Sequence, residues 1–359
     1  MNNQEMIITL FSSNSTVQYI KDIFSVLSLP RGSIFQFRYQ SDYIDPRLRG
    51  IFNNNNNLNL RALVVFRSNI LSPDDQHFYI PIRWVKIKSI IQMPNGYTVN
   101  FEIHGYPIYT PNFRNKSTSF KGINESAKHF FQQMGNNDYA VWGESLAIVN
   151  LDDDEDRDSE NWYDIVCRLT LLPGYKDYHF LKCSFPYVEK IDNDMGTIKK
   201  IECNVDNNFT QFIEHKCVYI DIEYYSANYD QSKKRQIDVF VDENVLSKAK
   251  GLRTTLQSRY GTIKLGLQPK KVTNKTITEV VINTNSSIPD ELQTEITFPV
   301  VVIKNKIKKI LKAIITSIGA LLVAMPGIIN DSLDVGWNIL IAGLGVLVLG
   351  INNYWESKE

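Results

Sequence analysis

The chain has 359 residues, which is long enough for two ordinary domains. Its 39 lysines and arginines balance 39 aspartates and glutamates, so the total charge implies no single electrostatic partner. The four cysteines lie widely spaced between Cys167 and Cys217 without a Cys-x-x-Cys pair, which disfavours a zinc site. They are expected to be reduced thiols at core or strand positions.

Residues 1–150 predict a β-rich α+β domain. Runs of β-branched and aromatic residues are separated by turn residues such as Pro30 and the sequence Pro94–Gly96, as strands should be. Two helices are expected, at Thr16–Leu29 and Glu125–Met134. The predicted strands are Ile7–Phe11, Ser33–Tyr39, Ala62–Phe66, Phe78–Ile90, Tyr97–Ile103 and Tyr139–Val149.

Residues 151–161 contain an acidic run interrupted by Arg157 and Ser159, and a solvated linker is the favoured interpretation. The alternatives are a divalent-ion loop, which needs more varied ligands, or docking against the basic segment described below. A second β-rich domain, a sandwich or barrel, is expected over residues 162–303, with one amphipathic helix at Asn244–Tyr260. Its predicted strands are Ile165–Leu172, Tyr178–Phe185, Thr197–Cys203, Cys217–Tyr225, Ile237–Val241, Ile277–Ile282 and Glu295–Ile303.

Residues 304–359 predict a basic collar followed by a transmembrane helical hairpin. Two apolar runs, Ala313–Ile329 and Val335–Trp355, are joined by an acidic turn, and each approaches the roughly 20 residues needed to cross a bilayer. Lysines before the first run and tryptophans around the second are expected at the membrane interface. The positive-inside rule then predicts an inner-membrane protein with two spans and both termini in the cytoplasm. The interface residues are Lys304, Lys306, Lys308, Lys309, Lys312, Trp337 and Trp355.

Small residues recur along both runs of the hairpin and predict close helix packing. The two helices could pack only on each other, or the same stripes could also join several chains into an oligomer. A hairpin buried within a globular fold is a third alternative. Thr316, Ser317 and Asn338 could face a pore, and Pro326 would allow a kink. The residues assigned to packing or to a pore are Ser317, Ala320, Ala324, Pro326, Gly343 and Gly350.

No catalytic, phosphate-loop or metal-binding motif is found in the sequence. The five histidines are scattered without the spacing of metal ligands, so neither a metal, a cofactor nor a catalytic residue is expected. Two features could nevertheless bind an anionic ligand. Arginines beside aromatic residues in the predicted N-terminal strands suit a nucleotide or a short oligonucleotide, although ordinary sheet alternation also produces them. The residues assigned to this site are Arg38, Arg67, Arg83 and Trp84.

The second feature is a basic segment between Lys233 and Lys275, which could lie against anionic headgroups, follow a nucleic-acid backbone, or be a solvated face.

The layout of a β-rich region without an enzyme signature, followed by Ala313–Trp355, resembles the membrane effectors of bacterial anti-phage defence systems. This resemblance is architectural and rests on no diagnostic motif. It implies a non-enzymatic effector that acts as a homo-oligomer. Its β-rich region would sense a nucleotide-like ligand or a partner protein and control membrane permeabilisation by the hairpin. The alternatives are a membrane-anchored scaffold without pore activity and a membrane-bound enzyme with an unrecognised site.

Overall fold

The computed structural model describes residues 6–13, 15–53, 60–68, 78–109, 139–143, 149, 157–172, 174–191, 197–206, 208–230, 236–250, 253–285, 294–305, 314–324 and 340–348. Strands predominate in these ranges, so the predicted β-rich α+β fold is confirmed. The described strands form three sheets, which we call sheets A, B and C.

Sheet A is built from the N-terminal part of the chain. Its strands are β1 (Met6–Ser13), β2 (Ile34–Gln40), β3 (Leu60–Ser68), β4 (Phe78–Met93), β5 (Gly96–Ile103) and β6 (Val141–Trp142). Their order is β2-β5-β4-β3-β1-β6, and β1 and β3 are parallel whereas all other neighbours are antiparallel. The middle strand β3 is a nearly continuous apolar run and is buried along most of its length, which is typical of a strand covered on both faces.

Sheet A is curled so that its two edge strands approach each other. Ile44, which follows a 3-10 turn at Ser41–Tyr43, forms an isolated bridge with Val141 of β6. Asp45, which is only 2% exposed, directly precedes helix α2 (Pro46–Asn53). Its carboxylate accepts hydrogen bonds from the Gly143 N–H at 3.2 Å and from Arg47 Nη2 at 2.8 Å. These bonds replace the lost hydration of the carboxylate and tie the two edges of the sheet together.

Sheets B and C are formed by the rest of the chain. Sheet B has the order β10-β11-β18-β17-β13-β15, and sheet C has the order β14-β16-β12-β8-β9 with β7 paired to β12. In sheet B, β18 is antiparallel to β17 and parallel to β11. The strands are β7 (His179–Cys183), β8 (Tyr187–Ile191), β9 (Ile198–Glu202), β10 (Val205–Asp206), β11 (Phe209–Ile213), β12 (Val218–Ser226), β13 (Gln236–Val241), β14 (Leu246–Lys250), β15 (Arg253–Thr255), β16 (Tyr260–Pro269), β17 (Thr276–Asn285) and β18 (Glu295–Ile303).

The three sheets share one hydrophobic core. In β12, Val218, Ile220 and Ile222 are buried and alternate with half-buried polar or aromatic residues, as the sequence predicts for a half-buried strand. Residues from all three sheets belong to the same cluster of buried side chains. The assignment of separate domains to residues 1–150 and 162–303 stays a prediction, although the core runs across both ranges.

Helix α1 (Val17–Ser28) joins the three sheets. It begins at the predicted place, where the Thr16 hydroxyl accepts a hydrogen bond from the Tyr19 N–H. The Phe24 ring lies 6.1 Å from Phe66 of sheet A and 5.3 Å from Phe180 of sheet C. On the same helix, the Ser25 hydroxyl donates to the Glu295 carbonyl at the start of β18, at 3.2 Å. One helix therefore holds sheets A, B and C in a fixed arrangement.

The predicted strand Ile165–Leu172 is wrong, because residues Asp158–Leu169 form helix α3. Trp162, Ile165 and Leu169 are fully buried at helical spacing. Asp158 and Glu160, which the sequence analysis assigned to the linker, occupy the first turn, where acids favour a helix N-terminus. The rest of the acidic run, residues 151–156, lies outside the described residues, as does the predicted helix Glu125–Met134.

The predicted helix Asn244–Tyr260 is also wrong. Its residues form the short strands β14 and β15. β14 pairs with β16 at one edge of sheet C, whereas β15 pairs with β13 at one edge of sheet B. The helical spacing of Val245, Ala249, Leu252 and Leu256 was therefore a coincidence, and pairing with the edges of two sheets decides the local structure.

The structure describes helical residues at 314–324 and at 340–348 in the C-terminal region, which we call α4 and α5. Within the described part of the chain, no helix is long and apolar enough to cross a membrane. The prediction of a two-span inner-membrane protein with cytoplasmic termini is therefore wrong. Several predicted residues lie outside the described ones: Lys306, Lys308, Lys309, Lys312, Pro326, Trp337, Asn338, Gly350 and Trp355.

Replacing Phe24 with alanine should destabilise the whole fold, because it removes the ring that contacts both sheet A and sheet C. We expect Phe24→Ala to lower the free energy of unfolding by about 3–5 kcal/mol in urea denaturation. The control is Tyr19→Ala on the same helix, whose side chain is 45% exposed and which should change stability by less than about 0.5 kcal/mol. Equal effects of the two substitutions would contradict a joining role for Phe24.

Asp45→Asn should destabilise the protein in a pH-dependent way. Burial alone would raise the pKa of Asp45, but hydrogen bonds from Arg47 and Gly143 outweigh it and lower the pKa below the ordinary 3.8. The stability from this carboxylate is therefore fully present above about pH 4 and is lost as the pH falls through the lowered pKa. The difference in unfolding free energy between wild type and Asp45→Asn should be about 2–4 kcal/mol at pH 7 and shrink below pH 4. Asp42→Asn, at an exposed acid nearby, should show no such difference.

Candidate functional site

The candidate site is a space of about 350 Å³ between sheet A and the strands of sheets B and C. We call this space the cleft. Its volume is at the lower end of the range usual for ligand sites. It is lined by Leu29, Gly32, Ser33, Ile34, Phe35, Gln36, Asn100, Phe185, Val205, Asn208, Thr210, Thr297, Phe298 and Pro299.

One wall of the cleft is set by the turn between α1 and β2. Gly32 has a φ of +84°, a left-handed conformation that glycine adopts without strain. Its N–H donates to the Ile103 carbonyl at 2.8 Å, which fixes the start of β2 against β5. Ser33 to Gln36 then form the wall, with Asn100 of β5 beside them.

The opposite wall comes from sheet B and from the segment before β8. Asn208 turns the chain between β10 and β11 with a φ of +69°, which asparagine tolerates better than most residues. Thr210 follows on β11, and Thr297 to Pro299 belong to the first half of β18. Phe185, just before β8, supplies a half-buried ring.

The lining of the cleft combines apolar and uncharged polar residues. Hydroxyl and amide side chains alternate with the rings of Phe35, Phe185 and Phe298, and none of the described lining residues is an acid, a base or a cysteine. A charged group placed here would lose hydration without gaining a counter-charge. The cleft therefore suits a neutral ligand with hydrogen-bonding groups and apolar surface.

Charged residues near the cleft are engaged with one another. Arg31, in the turn before β2, lies 3.8 Å from Asp158 at the start of α3. Burial raises the pKa of Asp158, and the nearby Arg83 partly offsets this effect. Arg83 itself is 1% exposed, its Nε donates to the His104 carbonyl at 2.5 Å, and its guanidinium stacks 3.6 Å from the Tyr106 ring. This arrangement holds α3 against sheet A and leaves Arg83 inaccessible from solvent.

The residues predicted to bind a nucleotide are not brought together. Arg38 is exposed on β2 and lies in register with Thr98, which pairs with Ile91 of β4. Ile91 is eight positions from Arg83, or about 25 Å along the strand. Arg67 is half-buried on β3, and Trp84 is fully buried beneath the Arg61 guanidinium at 4.2 Å. None of the four lines the cleft, and their role in binding stays a prediction.

Three lysines of the basic segment form ion pairs with acids. Lys248 lies 3.7 Å from Glu243, and Lys275 lies 2.9 Å from Asp206. Lys264 forms an ion pair with Glu189. The acid beside each of these three lysines reduces its attraction for a polyanion or an anionic headgroup layer, whereas Lys233, Lys234 and Arg235 lie outside the described residues.

The helices α4 and α5 pack through glycines. Gly319 and Gly345 are buried, and a Cβ added to Gly345 would lie 2.9 Å from the Gly319 carbonyl oxygen and 2.8 Å from Val323. Gly343, predicted as a packing residue, has open space around it instead. Ser317, Ala320 and Ala324, also predicted to pack, are exposed on α4. The described contact between α4 and α5 therefore uses Gly319 and Gly345, and the packing role of the predicted residues stays a prediction.

No protein-family model matches this chain, and no curated protein matches it in sequence. The described residues also contain no group of three or more histidine, cysteine, aspartate or glutamate side chains arranged to hold a metal ion.

Gly345→Leu should separate α4 from α5, because the added side chain collides with the backbone of the facing helix. An overpacked contact of this kind costs about 1–3 kcal/mol. We expect chymotrypsin to cleave at Leu321 and Leu344 at least about 10-fold faster in this variant, measured by mass spectrometry of timed digests. Gly343→Leu is the matched control and should be cleaved at the wild-type rate. Equal rates in the two variants would contradict the contact at Gly345.

Proposed function

We propose that this protein is a non-enzymatic sensor in which occupancy of the cleft controls the association of its C-terminal helices. The observation that carries this proposal is the position of β18. Its first half lines the cleft through Thr297, Phe298 and Pro299, and it ends at Ile303, before the described helical residues 314–324. A ligand that moves or fixes this strand acts on the last described strand before the C-terminal helices.

The helices α4 and α5 carry the surface that responds. Eight of their large apolar side chains are 41–62% exposed, and the described buried positions of the helix pair are glycines. Such a continuous exposed apolar surface favours association. A second copy of the same helix pair is the partner that we propose. The exposed residues are Ile314, Ile318, Leu321, Val323, Leu340, Leu344, Val346 and Leu347.

The chemistry of the cleft supports sensing rather than catalysis. Its described lining offers hydrogen-bonding groups and aromatic surface but no acid–base pair and no nucleophilic thiol. The lining also supports an uncharged ligand over the nucleotide that the arginines suggested. The sensing role inferred from the sequence is therefore kept, with a different ligand class and without a step in a membrane.

The proposal is tested by sedimentation analysis of the full chain. We expect the wild type to self-associate, and Leu344→Glu to weaken the association at least about 100-fold, because it places a charge in an apolar contact. Ile277→Glu is the control, since it changes an apolar side chain that is 61% exposed on sheet B. This control should associate as the wild type does.

The coupling is tested by filling the cleft. Thr297→Trp should shift the association constant at least about 10-fold, because it mimics an occupied cleft or blocks the empty one. Thr262→Trp, at an exposed threonine of β16 outside the cleft, should leave it unchanged. Association that depends on Leu344 but not on Thr297 would instead identify a scaffold, in which the helices assemble the protein without a sensing step.

A further inference from the structure

We infer that the ligand of the cleft is an extended, uncharged segment of a partner polypeptide, which adds as a strand along the edge of β2. This inference deepens the function proposed above by naming the class of ligand. It rests on the direction in which the backbone groups of two strand edges point.

The first edge belongs to β2, the outermost described strand of sheet A on this side. The Ser33 carbonyl accepts a hydrogen bond from the Ile103 N–H at 2.8 Å, so the odd-numbered residues direct their backbone groups at β5. The N–H and C=O groups of Ile34 and Gln36 therefore point away from β5. Both residues line the cleft, and within the described ranges no strand pairs with this side of β2.

The second edge belongs to the first half of β18. The Glu295 carbonyl accepts from Ser25, and the Ile303 carbonyl accepts from the Glu214 N–H at 3.0 Å, both on the side away from β17. Thr297 is also an odd-numbered residue of β18. Because backbone groups alternate in direction along a strand, its N–H and C=O also point away from β17. β11 pairs with β18 only from Val300 onwards, because Thr210 is in register with Val300. Thr297 therefore presents its backbone groups to the cleft with no described strand beside them.

An extended peptide is complementary to this arrangement. Its N–H and C=O groups alternate along its length, as those of Ile34 and Gln36 do, and main-chain pairing of this kind is a common mode of peptide recognition. About three residues of a strand span 10 Å, which suits a cleft of this size. The uncharged lining favours uncharged side chains, with the rings of Phe35 and Phe185 as apolar contacts.

The chain offers a matched pair of substitutions. Proline at residue 36 removes the N–H that points into the cleft but breaks no hydrogen bond to β5, and proline is tolerated at such edge positions. Proline at residue 38 has the same effect on the same edge of β2, but Arg38 does not line the cleft. Binding to the cleft should therefore be lost in Gln36→Pro and kept in Arg38→Pro.

The probe is an array of decapeptides composed of valine, threonine, serine, phenylalanine and asparagine, screened with the fluorescently labelled full chain. The strongest binder is then measured by fluorescence anisotropy against wild type, both proline variants and Thr297→Trp. We expect Gln36→Pro and Thr297→Trp to weaken binding at least about 10-fold and Arg38→Pro to weaken it less than twofold. The same peptide with N-methyl groups at alternate residues should also bind at least about 10-fold more weakly.

Several results would overturn the inference. Absence of binding by every peptide, or binding that survives N-methylation and Gln36→Pro alike, would exclude strand addition at β2. Binding of adenosine or of a neutral sugar in the cleft, measured with the same variants in the absence of peptide binding, would assign it to a small molecule. Loss of self-association in Gln36→Pro but not in Arg38→Pro would assign the edge to a second copy of the chain.

Peptide binding that leaves self-association unchanged would support this inference while contradicting the proposed sensing function.

Discussion

The packing of Phe24 is the interaction on which the rest of the structure depends. Its ring contacts Phe66 from sheet A and Phe180 from sheet C, and the Tyr178 ring lies 4.5 Å from it. Because the next residue, Ser25, binds the first residue of β18, one turn of α1 fixes the positions of all three sheets. The cleft exists only because these positions leave the edges of β2 and β18 on either side of an unfilled space.

Much of the fold could be predicted from the sequence, because local patterns decide it. The N-cap at Thr16, the alternation in Val218–Ser226 and the turn before Gly96 each depend on a few neighbouring residues. The two wrong predictions, the strand Ile165–Leu172 and the helix Asn244–Tyr260, share one cause. β14 and β15 exist because two sheet edges need partners, and α3 exists because its apolar face lies against sheet A. In both cases the partner surface is formed by residues far away in the chain, so the pattern of the segment itself does not reveal it.

The cleft could not be predicted for a similar reason. Ile34, Gln36 and Thr297 are ordinary strand residues, and what makes them a candidate site is the register at which neighbouring strands begin. The sequence instead indicated a binding site at arginines, whose side chains carry charge. In the structure, Arg83 is buried at the contact with α3 instead. Lys264 and Lys275 likewise form ion pairs within sheets C and B. Side-chain chemistry visible in the sequence was used here for assembly, whereas the candidate site depends on the backbone.

The position of β18 inside sheet B has a consequence for how the protein is made. β18 lies between β11 and β17, so strands formed by residues 205–213 remain separated from the rest of sheet B until residues 295–303 are available. During synthesis from the N-terminus, sheet A can complete its described pairings early, whereas sheet B must wait for β18, the last described strand. Pairing across such a separation is also slow, since a long loop has to close before any contact forms. The nascent chain therefore acquires the second wall of its cleft at nearly the same time as its C-terminal helices, so the cleft is not complete before the helices that it is proposed to control have been made.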